Sequence, residues 1–237
     1  LPAVAHAPKA LVVPHAGYIY SGAVAASAYA GLVERREVIR RVLILCPTHR
    51  VAIRGMALPA AQSFITPLGA VAVDRDAWLR AREMPGVIVD DRPHADEHAI
   101  EVQLPFLQST LNHFQILPVA VGEVDPHRVA ALLESLWGGP ETLIVISSDL
   151  SHYHPYRQAQ WRDKATIAQI RQLDATLNGD QACGAGAING LLLAACRHRL
   201  TPHLLDLRNS GDTAGDRERV VGYASISFSE TLDHAHH

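Results

Sequence analysis

Three apolar, strand-like runs in this chain each end in residues able to hold a metal or move a proton. Leu11-Val12-Val13 runs into Pro14-His15, Val42-Leu43-Ile44-Leu45-Cys46 into Pro47-Thr48-His49, and Leu143-Ile144-Val145-Ile146 into Ser147-Ser148-Asp149-Leu150-Ser151-His152. Ligands of open α/β sheets bind in the crevice beyond the carboxyl ends of the strands, so three such ends point to one site. Pro14 stiffens the exit from the first run and Gly17 allows close backbone approach, which presents the His15 imidazole at a fixed point. His49 has the same setting. If the two runs are adjacent parallel strands, about 4.8 Å apart, their end residues can share a ligand. Cys183, followed by Gly184 at the opening of a predicted helix, is the best third member, because a helix N-terminus favours the thiolate. The competing readings are ordinary ones: a histidine hydrogen-bonded in a turn and a cysteine acting as a small buried hydrophobe. The spacing of the three matches no compact zinc finger.

Glu97, His98, Asp149 and His152 form a second polar set. Asp149 and His152 share one strand-end loop and can orient or polarise a ligand, while His98 or His152 can act as a general acid or base near neutral pH. The alternative is an N-capping carboxylate beside satisfied histidines. A serine-hydrolase reading of Ser147, Ser148 or Ser151 lacks the G-x-S-x-G elbow. The 14 histidines of the chain need discounting: His234, His236 and His237 sit in a polar tail, and His6, His113, His127, His198 and His203 fall beside turns or helix ends.

The elements that must position these side chains alternate between strand and helix, the pattern of an α/β domain with a largely parallel sheet. Strands are predicted near 10–13, 41–46, 115–121, 142–147, 203–207 and 220–228, with short extended pieces near 56–58, 71–73 and 87–89 forming an insertion or a sheet edge. Helices are predicted near 21–33, 75–83, 97–112, 126–137, 157–176 and 185–198. Ser21 is the expected cap of the first helix, and Asp125-Pro126 places proline in a first helical turn, where its missing N–H is harmless. In 97–112, Ile100, Leu104, Leu107 and Leu111 share one face at helical spacing, which turns Glu97, His98 and Glu101 away from the core; Pro105 should bend that helix near its middle. The stretch from Asn209 to Asp216 reads as the most flexible interior loop.

At 237 residues and 48% apolar content, the chain describes one soluble globular domain, 1–237, with residues 230–237 as a disordered tail. Three cysteines, Cys46, Cys183 and Cys196, are too few for a disulfide framework and point to a reducing compartment or a chemical use of the thiols. There is no signal-peptide pattern and no apolar run of spanning length, so a cytoplasmic location is expected, with no membrane partner. A formal net charge of −3 and 5% aromatic residues, with no Lys/Arg stripe, give no footprint for nucleic acid.

These residues fall in an order that resembles the Memo family, the protein B component of the AmmeMemoRadiSam system. The resemblance spans nearly the whole chain and rests on Pro14-His15-Ala16-Gly17-Tyr18, Pro47-Thr48-His49, Glu97-His98-Ala99-Ile100-Glu101-Val102-Gln103-Leu104-Pro105-Phe106, Ser147-Ser148-Asp149-Leu150-Ser151-His152-Tyr153, Cys183-Gly184 and Asn209-Ser210-Gly211-Asp212. It implies the fold of class III extradiol dioxygenases (phosphorylase/hydrolase-like): a single α/β domain with a largely parallel central mixed sheet flanked by helices. It also implies a metal site of two histidines and one cysteine, mapping onto His15, His49 and Cys183, with His98, Asp149 and His152 around the cavity as catalytic residues. A thiolate in place of the dioxygenases' carboxylate suits Fe(II) or copper and also accepts zinc. Three departures stand out. An N-terminal family segment is absent, Cys46 puts an extra thiol near the site, and Arg50 follows His49 where relatives often have histidine.

The function the resemblance implies is a metal-dependent, dioxygenase-like oxidoreductase acting on an unknown small molecule, with a radical S-adenosylmethionine protein of the same system as an expected partner. Two alternatives use the same pocket: a non-catalytic metal-binding or peptide-interaction protein, and a zinc hydrolase with Glu97 as its base.

Overall fold

The uninterrupted Val, Ile and Leu runs make strands covered on both faces, because a parallel strand flanked by crossover helices has no solvent side. The structure, a computed structural model, describes residues 7–230. The expected disordered tail lies almost wholly outside those residues. In chain order the elements are β1 (Pro8–Val13), α1 (Tyr18–Tyr29), β2 (Arg41–Pro47), β3 (Met56–Leu58), β4 (Ser63–Thr66), β5 (Gly69–Ala72), α2 (Arg75–Arg82), β6 (Val87–Val89), α3 (Arg92–Ala95), α4 (Leu104–Thr110), β7 (Gln115–Val121), α5 (Pro126–Ser135), β8 (Thr142–Ser147), β9 (His152–His154), α6 (Tyr156–Arg171), α7 (Ala185–Arg197), β10 (Leu200–Asn209) and β11 (Val220–Glu230).

Among the described residues, a nine-stranded mixed sheet runs in the order β10-β11-β1-β8-β2-β7-β3-β6, with β9 paired to β11. Its centre, β1-β8-β2-β7, is parallel. The flanks reverse direction where β11 meets β1 and β3 meets β7. Alternate residues of the central strands feed two separate cores. Ala10, Val12, Leu43, Leu45, Ile144 and Ile146 pack with α2, α5 and α7 on one face. Leu11, Val13, Val42, Ile44, Leu143 and Val145 pack with α1 and α4 on the other. Each fully buried Leu, Ile or Val contributes roughly 1.5–3 kcal/mol relative to exposure, so the strand ends are held by a rigid platform. Among the described residues, no helix is long and apolar enough to cross a membrane.

The strands and most helices lie where the patterning places them, and the exceptions have local causes. The predicted helix over 97–112 does not form as one element. Ile100, Leu104, Leu107 and Leu111 are buried as expected, but the Glu97 carboxylate accepts the Ala99 N–H at 3.0 Å, a local bond that competes with helix. The α-helix starts only at Leu104, so Pro105 sits in its first turn and bends nothing. Ser21 is not a cap: α1 begins three residues earlier behind Gly17, and the Ser21 hydroxyl donates to the Ala16 carbonyl. Helix α6 stops at Arg171 because Leu173 takes a left-handed backbone conformation (φ 56°). The Asn209–Asp216 stretch opens as a hydrogen-bonded turn rather than a loose loop, with Asn209 and Asp212 forming a reciprocal capping box. Two short strands, β4 and β9, carry no pattern that announced them.

Candidate metal centre

His15 leaves the end of β1, His49 the end of β2, and Asp149 the end of β8. The expected adjacency of the two histidine strands is incorrect: β8 lies between β1 and β2. Two strand spacings, roughly 9.6 Å, therefore separate their backbones. The imidazoles converge over the end of β8, with ring centroids 5.2 Å apart. Cys183 reaches the same point from the residue before the Gly184 cap of α7. One nitrogen from each histidine and the Cys183 Sγ lie within 4.8 Å of one another, and the His15 Nε2–Sγ distance is 3.4 Å.

Hydrogen-bond accounting fixes which nitrogen each ring presents. The Ser147 hydroxyl has one proton, which it donates to the Ala99 carbonyl at 2.6 Å, and it accepts from Gln103 Nε2 at 2.9 Å. Gln103 itself is oriented by the Pro14 carbonyl, which only accepts, and by Tyr29 Oη on its Oε1. The remaining contact of Ser147 Oγ, 3.0 Å from His15 Nδ1, must then be a donation from the ring. His15 Nε2 is left with its lone pair directed at Cys183. His49 is pinned in the same sense: its Nδ1 lies 3.0 and 3.1 Å from the two Glu97 oxygens and donates to that carboxylate. Both rings thus offer Nε2, the arrangement in which a partner on the far nitrogen orients a metal ligand.

Cys183 is placed by packing that only glycine permits beside it. A Cβ at Gly184 would lie 2.7 Å from Ser148 Cβ. The Gly184 N–H donates to Ser148 Oγ, and the Asp149 N–H points at Cys183 Sγ at 3.3 Å. By contrast, a Cβ at Gly17 would meet only an ordinary contact at 3.7 Å, so the glycine expected to matter there is not sterically required.

The electrostatics suit a thiolate. Burial alone would raise the Cys183 pKa, but the His15 and His49 imidazoles in contact with its Sγ outweigh burial and bring the thiol down to about 7. His49 is pushed up to about 10 by its hydrogen bonds to Cys183 and Glu97. Burial works against Glu97 as well, yet the His49 side chain and the His49 and Ala99 N–H groups hold it down at about 2. Asp149 is shifted upward by burial, although it accepts the His15 N–H at 2.8 Å. With no metal bound, the proton on His49 and the thiolate form an ion pair that a cation can replace.

Among the described residues, His15, His49 and Cys183 make up the cluster able to hold a metal ion. Cys46 is not part of it: its side chain is fully buried below the site and burial pushes its thiol well up. His98 and His152 stand at the edge. The His98 ring centroid is 5.6 Å from that of His15, and its side chain is 57% exposed. His152, on β9, lines the same cavity of about 710 Å³ as Asp149, His98 and the three ligands. A second hollow of about 570 Å³, bordered by Arg50, Arg54 and Glu123, touches His49 and Cys183 from the other side. Gln103 and Ser147 stand in the blocks quoted for the family resemblance, but reading the sequence gave neither of them the part they play in fixing the His15 tautomer; the only role weighed for Ser147 was that of a hydrolase nucleophile.

Comparison with known proteins agrees over nearly all of the chain. The profile of the Memo-like protein family matches residues 1–227. A MEMO1 family protein of Sulfolobus acidocaldarius is 36% identical over 233 residues, covering 92% of this chain and 82% of the relative. One from Aquifex aeolicus is 35% identical, with 93% and 86% covered, and one from Methanothermobacter thermautotrophicus is 34% identical, with 92% and 84% covered.

Proposed function

This chain belongs to the Memo-like family, and from that premise we propose that it is a metal-dependent oxidoreductase, dioxygenase-like in chemistry, acting on a small molecule at the His15–His49–Cys183 centre. The observation that carries this reading is the pairing of a three-residue donor set with an open cavity. Metal sites that only support a fold are closed by protein ligands, whereas reactive ones keep a position for substrate. Here one nitrogen from each of His15 and His49 and the Cys183 Sγ lie within 4.8 Å of one another, and the cavity of about 710 Å³ opens directly onto them.

A donor set of two imidazoles and a thiolate accepts iron, copper or zinc; Fe(II) is taken as the working ion, with copper next and zinc as a substitute, by analogy with the dioxygenases that the family resembles, and the ion would supply Lewis-acid polarisation and, if redox-active, electron transfer to bound O₂. The chain's own residues do the rest. Ser147 and Glu97 hold the imidazoles in register through Nδ1. His98, at the cavity mouth, is placed to carry a proton between solvent and substrate, and His152 is a second group for the same transfer. Asp149 fixes the His15 backbone by accepting its N–H. The hydrolase alternative loses its base, because both Glu97 oxygens are engaged by His49 and backbone N–H groups.

The test is O₂ consumption at graded iron loading, with ascorbate present, across a panel of catechols and small organic acids. Uptake proportional to bound iron, and absent in Cys183→Ser, supports the oxidoreductase. Tight iron binding with no uptake on any panel member overturns it in favour of a non-catalytic metal-binding protein.

A further inference from the structure

We infer that the large cavity receives a small organic acid whose carboxylate pairs with Arg162. The inference deepens the function proposed above and rests on it for the position of the reacting end of that molecule.

Helix α6 buries Ala159, Asp163, Thr166, Ile167 and Ile170. Arg162, three residues after Ala159 and four before Thr166, lies on the edge of that face, and its side chain enters the cavity shared with His15, His49, His152 and Cys183. Its Nε is withdrawn from solvent and has no hydrogen-bond partner among the described residues. No carboxylate there forms an ion pair with it. Its neighbour Asp163 turns the other way, accepting the Ser151 N–H at 3.1 Å. Asp149 accepts the His15 and Ala16 N–H groups through Oδ1, and its Oδ2 lies 3.9 Å from His15 Nε2. Asp180, which also borders the cavity, is exposed and unpaired with the guanidinium.

A guanidinium donor shielded from water and left without an acceptor is costly, and a bound anion removes that cost. The planar fork of arginine matches a carboxylate through two parallel hydrogen bonds. A carboxylate fits better than a phosphate for two reasons. Asp149 and Asp180 line the same cavity, so a monoanion meets less repulsion than a dianion. The N–H groups at the start of α7, which would otherwise cradle a phosphate, are engaged: Gly184 donates to Ser148 and Ala185 to the Ala182 carbonyl. A volume of about 710 Å³ accommodates a molecule that spans from Arg162 to the metal ligands.

Isothermal titration of acetate, succinate, benzoate and inorganic phosphate into the full-length chain, metal-free and zinc-loaded, tests this. At least one carboxylate should bind the wild type, with affinity reduced tenfold or more in Arg162→Gln and partly restored in Arg162→Lys. Zinc affinity should be the same in wild type and Arg162→Gln, which shows that the variant is folded. His49→Ala should lose zinc and keep the carboxylate, separating failure of the metal reading from failure of this one. No carboxylate binding in the wild type, or equal binding in Arg162→Gln, overturns the inference. Phosphate bound more tightly than every carboxylate overturns the assignment to an organic acid.

Discussion

Around His15, Ser147 and Gln103, polar atoms are matched to named partners, whereas Arg162, bordering the same cavity, keeps a buried Nε that has no acceptor among the described residues. His15 is 2% exposed and the His98 side chain 57%. The difference teaches which residues set up the site and which meet what enters it. A ligand must present one nitrogen at one angle, so its hydrogen bonds are closed off inside the protein. A group that binds substrate or passes a proton must keep a free valence until substrate arrives.

Substitutions on the two sides should therefore separate cleanly. The largest effect is expected from Cys183→Ser or His15→Ala, each of which removes a donor atom. Metal affinity measured by competition with a chelator should fall by two orders of magnitude or more. Glu97→Gln and Gln103→Ala come next, because they loosen a ring without removing it; loss of such a partner typically costs 10–100-fold in metal affinity. Gln103→Ala should also lower folding stability by about 1–3 kcal/mol in urea titration, since Tyr29 and Pro14 lose buried partners. His98→Ala and His152→Ala should leave metal affinity within a factor of two and slow turnover, by about 10²-fold if proton transfer depends on the residue. If His98→Ala loses metal as Glu97→Gln does, the division between the two sides fails.

A separate effect, on stability rather than on the metal, concerns the support beneath the cavity. Asp163 is 2% exposed and burial raises it from 3.8 to about 6. A carboxyl with a raised folded pKa favours the folded state fully below its unfolded pKa, and that contribution is lost as pH rises through the folded value. Stability of the wild type relative to Asp163→Asn should fall between pH 4 and 6 by on the order of 3 kcal/mol, from a shift of about two units. Parallel stability curves for the two proteins across that range would refute this.

Much of the scaffold was legible because its signals are local. Val42–Cys46 and Leu143–Ile146 could be read as buried strands from composition alone, and Asp125-Pro126 marked a helix start that the structure confirms. Pro47 and Cys183-Gly184 likewise flagged the strand and helix ends that carry two members of the donor cluster. What escaped depends on contacts distant in sequence. Nothing in 97–112 discloses that Glu97 is occupied by His49, 48 residues away, and so does not begin a helix. Gln103 is only one letter of the Glu97–Phe106 block until its contacts with Pro14 and Ser147 place it, fully buried, behind His15. Strand order is equally silent in the sequence, which is why β8 was not expected between the two histidine strands. Arg162 shows its unmet donor only once α6 is docked.

The account stands or falls on the three-residue metal centre. The most direct measurement is metal content by mass spectrometry of anaerobically purified protein, comparing wild type, Cys183→Ser, His49→Ala and His98→Ala. About one iron or copper per chain in the wild type and His98→Ala, and less than a tenth of that in Cys183→Ser and His49→Ala, is the predicted result. Equal metal in all four proteins, or none in the wild type after incubation with Fe(II) or Cu(I), would contradict it.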